Sequence, residues 1–312
     1  MNNLEKTASP IIDINNLVVE YGKGKSKIRA VDGISFTINQ GEMVGFIGPN
    51  GAGKTSTIKV IMGFIFPTSG EVKVFGAPAG TVESRWRIGY LPEVALYYSF
   101  MKARELLELY GGLHGLSREC LKKRIPEILE TVGLEGKGGI LLKNFSKGMQ
   151  QRLGIAQAII ADPEALIFDE LSSGLDPIGR YDLRKALINL KERGRTIFFS
   201  SHELTEVENL CNRVIVIHKG KIKCQSTIDE LLKPLNVFEI EFFPSTPLKN
   251  RIAELKALCD LTQNNEIWSC RVEGAEKYVA VLNLLTEEGA AIKNTFSKRQ
   301  SLEDFFMQLI KK

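Results

Sequence analysis

No stretch of this chain approaches the roughly 18 uninterrupted apolar residues of a membrane-spanning helix, so no transmembrane segment is expected. The N-terminal M-N-N-L-E-K-T-A-S-P lacks the apolar centre of a signal peptide. Cysteine is scarce: five residues, at 120, 211, 224, 259 and 270, odd in number and never in a C-x-x-C pair. That argues against a disulfide framework or a metal site and predicts reduced, mostly buried thiols in a cytosolic protein. Long Lys/Arg runs are also missing, and 41 basic against 37 acidic residues leave a net charge of only +4. So weak an excess does not argue for nucleic acid, and no nucleic-acid partner is expected. The locally basic stretch Lys23–Arg29 is most simply a solvated loop.

What the chain does have is length and an ordinary globular balance. Its 312 residues are 44% hydrophobic and 25% charged, enough for one large domain or two with a sizeable core. The stretch Gly48-Pro49-Asn50-Gly51-Ala52-Gly53-Lys54-Thr55 reads G-x-x-x-x-G-K-[ST], the phosphate-binding P-loop. The motif needs a strand before it and a helix after it. Glu42–Ile47 is an apolar, strand-like run, and Ser56–Phe66 can form a helix. Glycines let the backbone curl so that successive N–H groups point at one phosphate chain, and the helix N-terminus adds its positive dipole end. Lys54 would bridge the β- and γ-phosphates of ATP, and the Thr55 hydroxyl would ligate Mg2+.

Around this loop, Ile11–Glu20 and Ala30–Ile38 read as strands, the second by its alternation of apolar and polar residues. Pro67-Thr68-Ser69-Gly70 breaks the chain before a strand at Glu71–Phe75, and Ile88–Glu93 holds a short strand that ends at Pro92. Residues 101–161 read as helices with Leu106, Leu109 and Tyr110 on one face, and Leu106, Leu107 and Leu109 are assigned to the core. Ala165–Phe168, Thr196–Phe199 and Val214–Ile217 are further strands. Strands alternating with helices predict a mostly parallel α/β core. Asp169-Glu170 closes the run Ala165–Phe168, the Walker B pattern of apolar residues and an acidic one. Asp169 would hold Mg2+ through its water shell, and Glu170 would polarise the attacking water as general base.

These motifs, in this order, resemble the ATP-binding cassette (ABC) ATPases, over residues from about 10 to 232. The resemblance implies a P-loop NTPase cassette with a mostly parallel core sheet, an antiparallel β subdomain and a helical subdomain. Tyr21 sits where the family stacks an aromatic on adenine, although it could simply pack at a strand end. Residues Gly48 to Thr55, with Ser56, would bind the nucleotide. Glu93 occupies the Q-loop position and would stand by Mg2+ with Thr55 and Asp169. Phe145-Ser146-Lys147-Gly148-Met149-Gln150-Gln151-Arg152 matches the signature region, and Ser146, Lys147, Gly148 and Met149 would serve the ATP held by a second subunit. Ser173-Gly174-Leu175-Asp176 matches the D-loop, with Asp176 as its acid. His202, in F-F-S-S-H, matches the switch histidine, a γ-phosphate sensor that joins Glu170 in the catalytic pair.

Three positions depart from the family pattern. Lys147 replaces the first signature glycine, Met149 the signature glutamine and Glu93 the Q-loop glutamine. A carboxylate at Glu93 can still ligate Mg2+, but it adds negative charge beside the phosphates and Asp169. The S-K-G-M and Y-L-P-E forms resemble the export branch (ABC-2 type), whose membrane partner is a separate polypeptide. Tyr97, Tyr98, Phe100 and Met101, just past the Q-loop position, suit either the core of the helical subdomain or a groove for that partner.

Lys233-Pro234 marks a boundary, so residues 10–232 are read as the nucleotide-binding domain and 235–312 as an accessory or regulatory domain. In the tail, Val237–Phe243 alternates like a strand, Leu248–Leu258 suits a helix, and Leu261–Gln263 and Glu266–Val272 suit a hairpin around Asn264-Asn265. Ala275–Glu288, Ala291–Phe296 and a helix capped at Ser301 complete a β-α-β-β-α-β order plus a helix, a small α+β ferredoxin-like domain. It holds no catalytic constellation, and a part in dimerisation or regulation follows only from the resemblance.

The expected function is the ATP-binding, ATP-hydrolysing subunit of an exporter. It would form a homodimer on ATP binding, lie peripherally on the cytoplasmic face of the membrane and drive a separate transmembrane permease. The alternative is a soluble ABC ATPase acting on ribosomes or DNA. Translation-type members carry two cassettes where this chain carries one, and repair-type members insert coiled coils that are not visible here. A GTPase or kinase is disfavoured, since no N-K-x-D guanine motif appears.

Overall fold

The structure, a computed structural model, describes residues 10–171, 175–232, 234–245, 251–264 and 266–311. The N-terminal ten-residue stretch is therefore described only at Pro10. Ser173 and Gly174 of the D-loop match, Lys233 of the boundary, Leu248 of the expected tail helix and Asn265 of the hairpin turn lie outside the described residues. The chain divides into two compact units at Ile228/Asp229.

In the first unit, β1 (Ile12–Tyr21) and β2 (Ile28–Ile38) form a long antiparallel pair, followed in sequence by β3 (Met43–Ile47) and α1 (Lys54–Ile61). β4 (Ser69–Val74) and β5 (Ala77–Pro78) complete an antiparallel sheet of order β2-β1-β4-β5. After α2 (Val82–Trp86) and β6 (Ile88–Leu91) come three helices, α3 (Ala103–Leu113), α4 (Arg118–Thr131) and α5 (Lys147–Ile159). β7 (Ala165–Phe168), α6 (Pro177–Glu192), β8 (Thr196–Ser201), α7 (Leu204–Leu210), β9 (Arg213–His218) and β10 (Lys221–Thr227) follow, and the short α8 (Ile228–Leu231) straddles the division between the units. The central sheet runs β10-β9-β3-β8-β7-β6, parallel except for the antiparallel edge strand β10. Strands β3 and β7 are buried along their whole length, as continuous apolar runs in a parallel sheet require. Phe36 of β2, Phe46 of β3 and Phe198 of β8 meet with ring centroids 5.5–5.9 Å apart, which locks the antiparallel sheet onto the parallel one.

Several local expectations change. The P-loop helix ends at Ile61 rather than Phe66, because Gly63 turns to φ +69°. Leu106 and Leu107 are core, but Leu109 is 44% exposed; it lies two residues beyond Leu107 and so about 200° round the helix. The basic stretch is not simply solvated: Lys27 and Arg29 both pair with Glu20, and hold its carboxyl below the ordinary range. The cysteines are free; Cys211, Cys259 and Cys270 are buried, and Cys120 is exposed.

The second unit contains β11 (Pro234–Phe243), α9 (Ile252–Leu258), β12 (Asp260–Asn264), β13 (Ile267–Glu273), α10 (Ala275–Glu287), β14 (Ala291–Arg299) and α11 (Leu302–Lys311). Its sheet is antiparallel in the order β12-β13-β11-β14, the ferredoxin-like arrangement. Alternate residues Ile240, Phe242, Trp268 and Val272 share a core with Leu255, Val281 and Leu285 of the helices. Ser301 Oγ accepts the Asp304 amide at 3.1 Å and caps the last helix.

Candidate nucleotide site

The P-loop runs from the buried end of β3 into α1, and two of its glycines are sterically required. Gly53 takes φ +112°, and a Cβ at Gly48 would lie 2.2 Å from the Ile217 carbonyl. Lys54 begins the helix and is only 5% exposed. Its ammonium donates to the Gly48 carbonyl at 2.7 Å and the Pro49 carbonyl at 3.3 Å. The loop and the start of α1 line a cavity of about 330 Å3 that also takes in Glu93 and Glu170. Tyr21, 41% exposed, stands beside it with its hydroxyl 3.2 Å from Ser56 Oγ.

The acidic pair is placed by strand register. β7 and β8 run parallel with Phe168 opposite Phe199, so the next rung sets Asp169 beside Ser200. Ser200 is fully buried; its hydroxyl donates to Asp169 Oδ1 at 2.7 Å and accepts the Glu170 amide at 2.8 Å. The Thr55 hydroxyl donates to the same Asp169 oxygen at 3.2 Å. Burial pushes the Asp169 carboxyl above the ordinary range, while the bonds from Ser200 and Thr55 oppose that shift. Glu170 adopts φ +50°, in the left-handed region that few L residues enter. Its carboxylate lies between Lys54 Nζ, 3.0 Å from Oε1, and His202 Nδ1, 2.6 Å from Oε2. Strand alternation explains the last contact, since His202 follows Ser200 by two residues.

Thus Lys54, Thr55, Glu93, Asp169, Glu170 and His202 are brought together. The signature and D-loop residues are elsewhere. None of Ser146, Lys147, Gly148, Met149 and Asp176 lines this cavity. Ser146 is exposed and N-caps α5, accepting the Met149 amide at 3.2 Å. Asp176 N-caps α6, accepting the Gly179 amide at 2.9 Å. Arg152, in the same signature region, is buried and bonds the Gly133 carbonyl at 2.7 Å and Asp182 at 3.2 Å. The sequence reading assigns Ser200 no role, because its partners Asp169 and Glu170 lie 31 and 30 residues away and meet it only through strand register. The oxygens of Thr55 and Asp169, 3.2 Å apart, are hard donors of the kind Mg2+ takes, and Glu93 lines the same cavity as Thr55. No group of three or more His, Cys, Asp or Glu among the described residues could hold a metal by itself.

Comparison with known proteins agrees with this geometry. A family model described as ABC transporter matches residues 31–173. The bacitracin transport ATP-binding protein BcrA of Bacillus licheniformis is 38% identical over 314 residues, covering 97% of this chain and 98% of that protein. An ABC transporter ATP-binding protein of Nostoc sp. is 38% identical over 314 residues, covering 98% of this chain and 92% of that one. A solved dimeric structure of a bacterial ABC transporter cassette has a TM-score of 0.64 at 25% identity, covering 70% of this chain and 99% of the other.

Proposed function

The chain belongs to the ABC transporter ATP-binding family, and from that premise we propose that it powers export through a separate membrane permease as an ATP-clasping homodimer. It is an ATPase subunit of the export branch, and it is similar along its whole length to the bacitracin transport ATP-binding protein. Among the described residues no helix is long and apolar enough to cross a membrane. In this reading the chain lies on the cytoplasmic face and the transmembrane permease is a different polypeptide. The segment after β6 supports a docking role: Val94, Leu96, Tyr98 and Phe100 are 63–88% exposed. Tyr97 behaves differently; its hydroxyl is buried.

The observation that carries the ATPase chemistry is the Glu170 carboxylate held between Lys54 and His202 at the edge of the P-loop cavity. In this reading the loop amides and Lys54 bind the phosphates and Tyr21 stacks on the base. Thr55 and Asp169, with Glu93 nearby, would hold Mg2+, which would supply neutralising charge to the phosphate oxygens. Glu170 orients the attacking water and accepts its proton as the oxygen approaches the γ-phosphorus. His202 keeps Glu170 aimed and contacts the γ-phosphate. The exposed N-terminus of α5, capped by Ser146, offers its amides and dipole to the γ-phosphate bound by a second copy. Light scattering tests the dimer: monomer without nucleotide and dimer in Mg·ATP for a hydrolysis-dead variant. Co-purification with a multi-spanning permease tests the transport role, and persistent recovery without one counts against it.

A further inference from the structure

Ser200 touches both carboxylate residues of the site, and neither contact is needed merely to satisfy a buried serine. One backbone carbonyl within reach would serve for that. Instead the single hydroxyl makes two directional bonds: it gives its hydrogen to Asp169 Oδ1 at 2.7 Å and takes the Glu170 amide at 2.8 Å. A Ser or Thr hydroxyl can donate and accept through one atom, which a Cys thiol does only weakly. The accepted amide belongs to the residue at φ +50°, so the bond holds Glu170 in a conformation its backbone rarely takes. From there the Glu170 carboxylate reaches Lys54 and His202. The donated hydrogen joins that of Thr55 on the same Asp169 oxygen, which fixes the rotation of that carboxylate.

We propose that Ser200 is a positioning residue for ATP hydrolysis: its hydroxyl sets the direction of the Glu170 base through the Glu170 amide and the orientation of the Asp169 carboxylate directly. The proposal rests on the ATPase reading of the site and adds to it a residue that acts only through the other two. β8 and the residue just past its end thereby deliver two groups to the chemistry, Ser200 within the strand and His202 one residue beyond it. Ser200 is itself in register with Phe46 of β3, so its backbone is held within the central sheet.

The test is Ser200→Ala, alone and combined with Glu170→Gln. Phosphate release by Ser200→Ala should fall about tenfold or more, with affinity for a fluorescent ATP analogue within about twofold of wild type, because the phosphate-binding loop is untouched. On the Glu170→Gln background, at saturating Mg2+ so that the Asp169 contact does not limit the rate, the same change should cause no further loss, since the base it aims is already gone. Mn2+ affinity in the presence of a non-hydrolysable ATP analogue, read by electron paramagnetic resonance, should weaken several-fold through Asp169. A wild-type rate, an unchanged Mn2+ affinity, or a loss that multiplies with that of Glu170→Gln each overturns the proposal. Should Ser200→Ala not fold, Ser200→Cys, close in size and a weak hydrogen-bond partner, is read in the same way. Phosphate release by the wild type, measured alongside, tests the ATPase reading separately, and the Mn2+ comparison reports on Ser200 whether or not that reading holds.

Discussion

Lys54 Nζ lies 3.0 Å from Glu170 Oε1, and both side chains are at least nine-tenths buried. The ammonium's three hydrogens go to Gly48, Pro49 and Glu170. At an effective dielectric of about 20 the pair attracts by roughly 5 kcal/mol, much of it offset by the cost of desolvating both ions. A triphosphate seated in the loop competes with Glu170 for that ammonium. On the proposed reading, nucleotide binding and release of Glu170 are therefore linked through one nitrogen.

Lys54→Ala should weaken nucleotide binding by about 10- to 100-fold, the worth of a charge-assisted hydrogen bond or two. It should also lower the melting temperature, because Glu170 is left as a buried carboxylate without its ammonium partner. Titration with a fluorescent nucleotide reads the first effect and calorimetry the second. An unchanged affinity would remove Lys54 from the site.

Glu93→Gln should keep turnover within a fewfold and raise the Mg2+ concentration needed for half activity. Glu93 lines the P-loop cavity but is exposed, so its charge is worth about 1 kcal/mol to a cation there, on the order of fivefold. Superimposable Mg2+ titrations would place Glu93 away from the ion.

Gly154→Ala separates helix propensity from packing. Within α5, alanine gains about 1 kcal/mol of helix propensity over glycine. A Cβ at Gly154, however, would lie 2.5 Å from Leu91 Cδ1 and 2.9 Å from the Tyr97 hydroxyl. Overpacking of this kind costs about 1–3 kcal/mol, so the variant should be destabilised on balance and should disturb the segment after β6. Urea unfolding measures it; a more stable variant would show that Tyr97 and Leu91 yield freely.

Much of this was legible in the sequence, and the exceptions have physical causes. The P-loop and the Asp169-Glu170 pair are local patterns, and the parallel strands around them are continuous apolar runs. β10 escaped because K-I-K-C-Q-S-T is an edge strand with half its residues in solvent, and weak apolar alternation is its whole signal. The helix after the P-loop was drawn too long because F-I-F reads as apolar periodicity, while Gly63 acts through its backbone. Tyr97 and Tyr98, adjacent in sequence, divide between interior and surface, which composition cannot decide. Ser200 was invisible for a different reason: its meaning lies in the β7–β8 register, a relation between residues 31 apart. The signature residues Ser146 and Gly148 stand away from the cavity of their own chain, so one chain cannot display what they do.

The most direct test of the central claim, that Glu170 is the base of an ATP-clasping dimer, is phosphate release by Glu170→Gln beside size-exclusion chromatography in Mg·ATP. Gln nearly matches Glu in shape, and its carbonyl can still accept from Lys54, so ATP binding should survive. It lacks the carboxylate that takes the proton from water, so the rate should fall by about 10²–10⁴-fold. With chemistry blocked, two ATP molecules should stay held between P-loop and signature, and the protein should elute as a dimer. Near-normal turnover by a protein that stays monomeric would contradict the account and leave Asp169-Glu170 with a metal role alone.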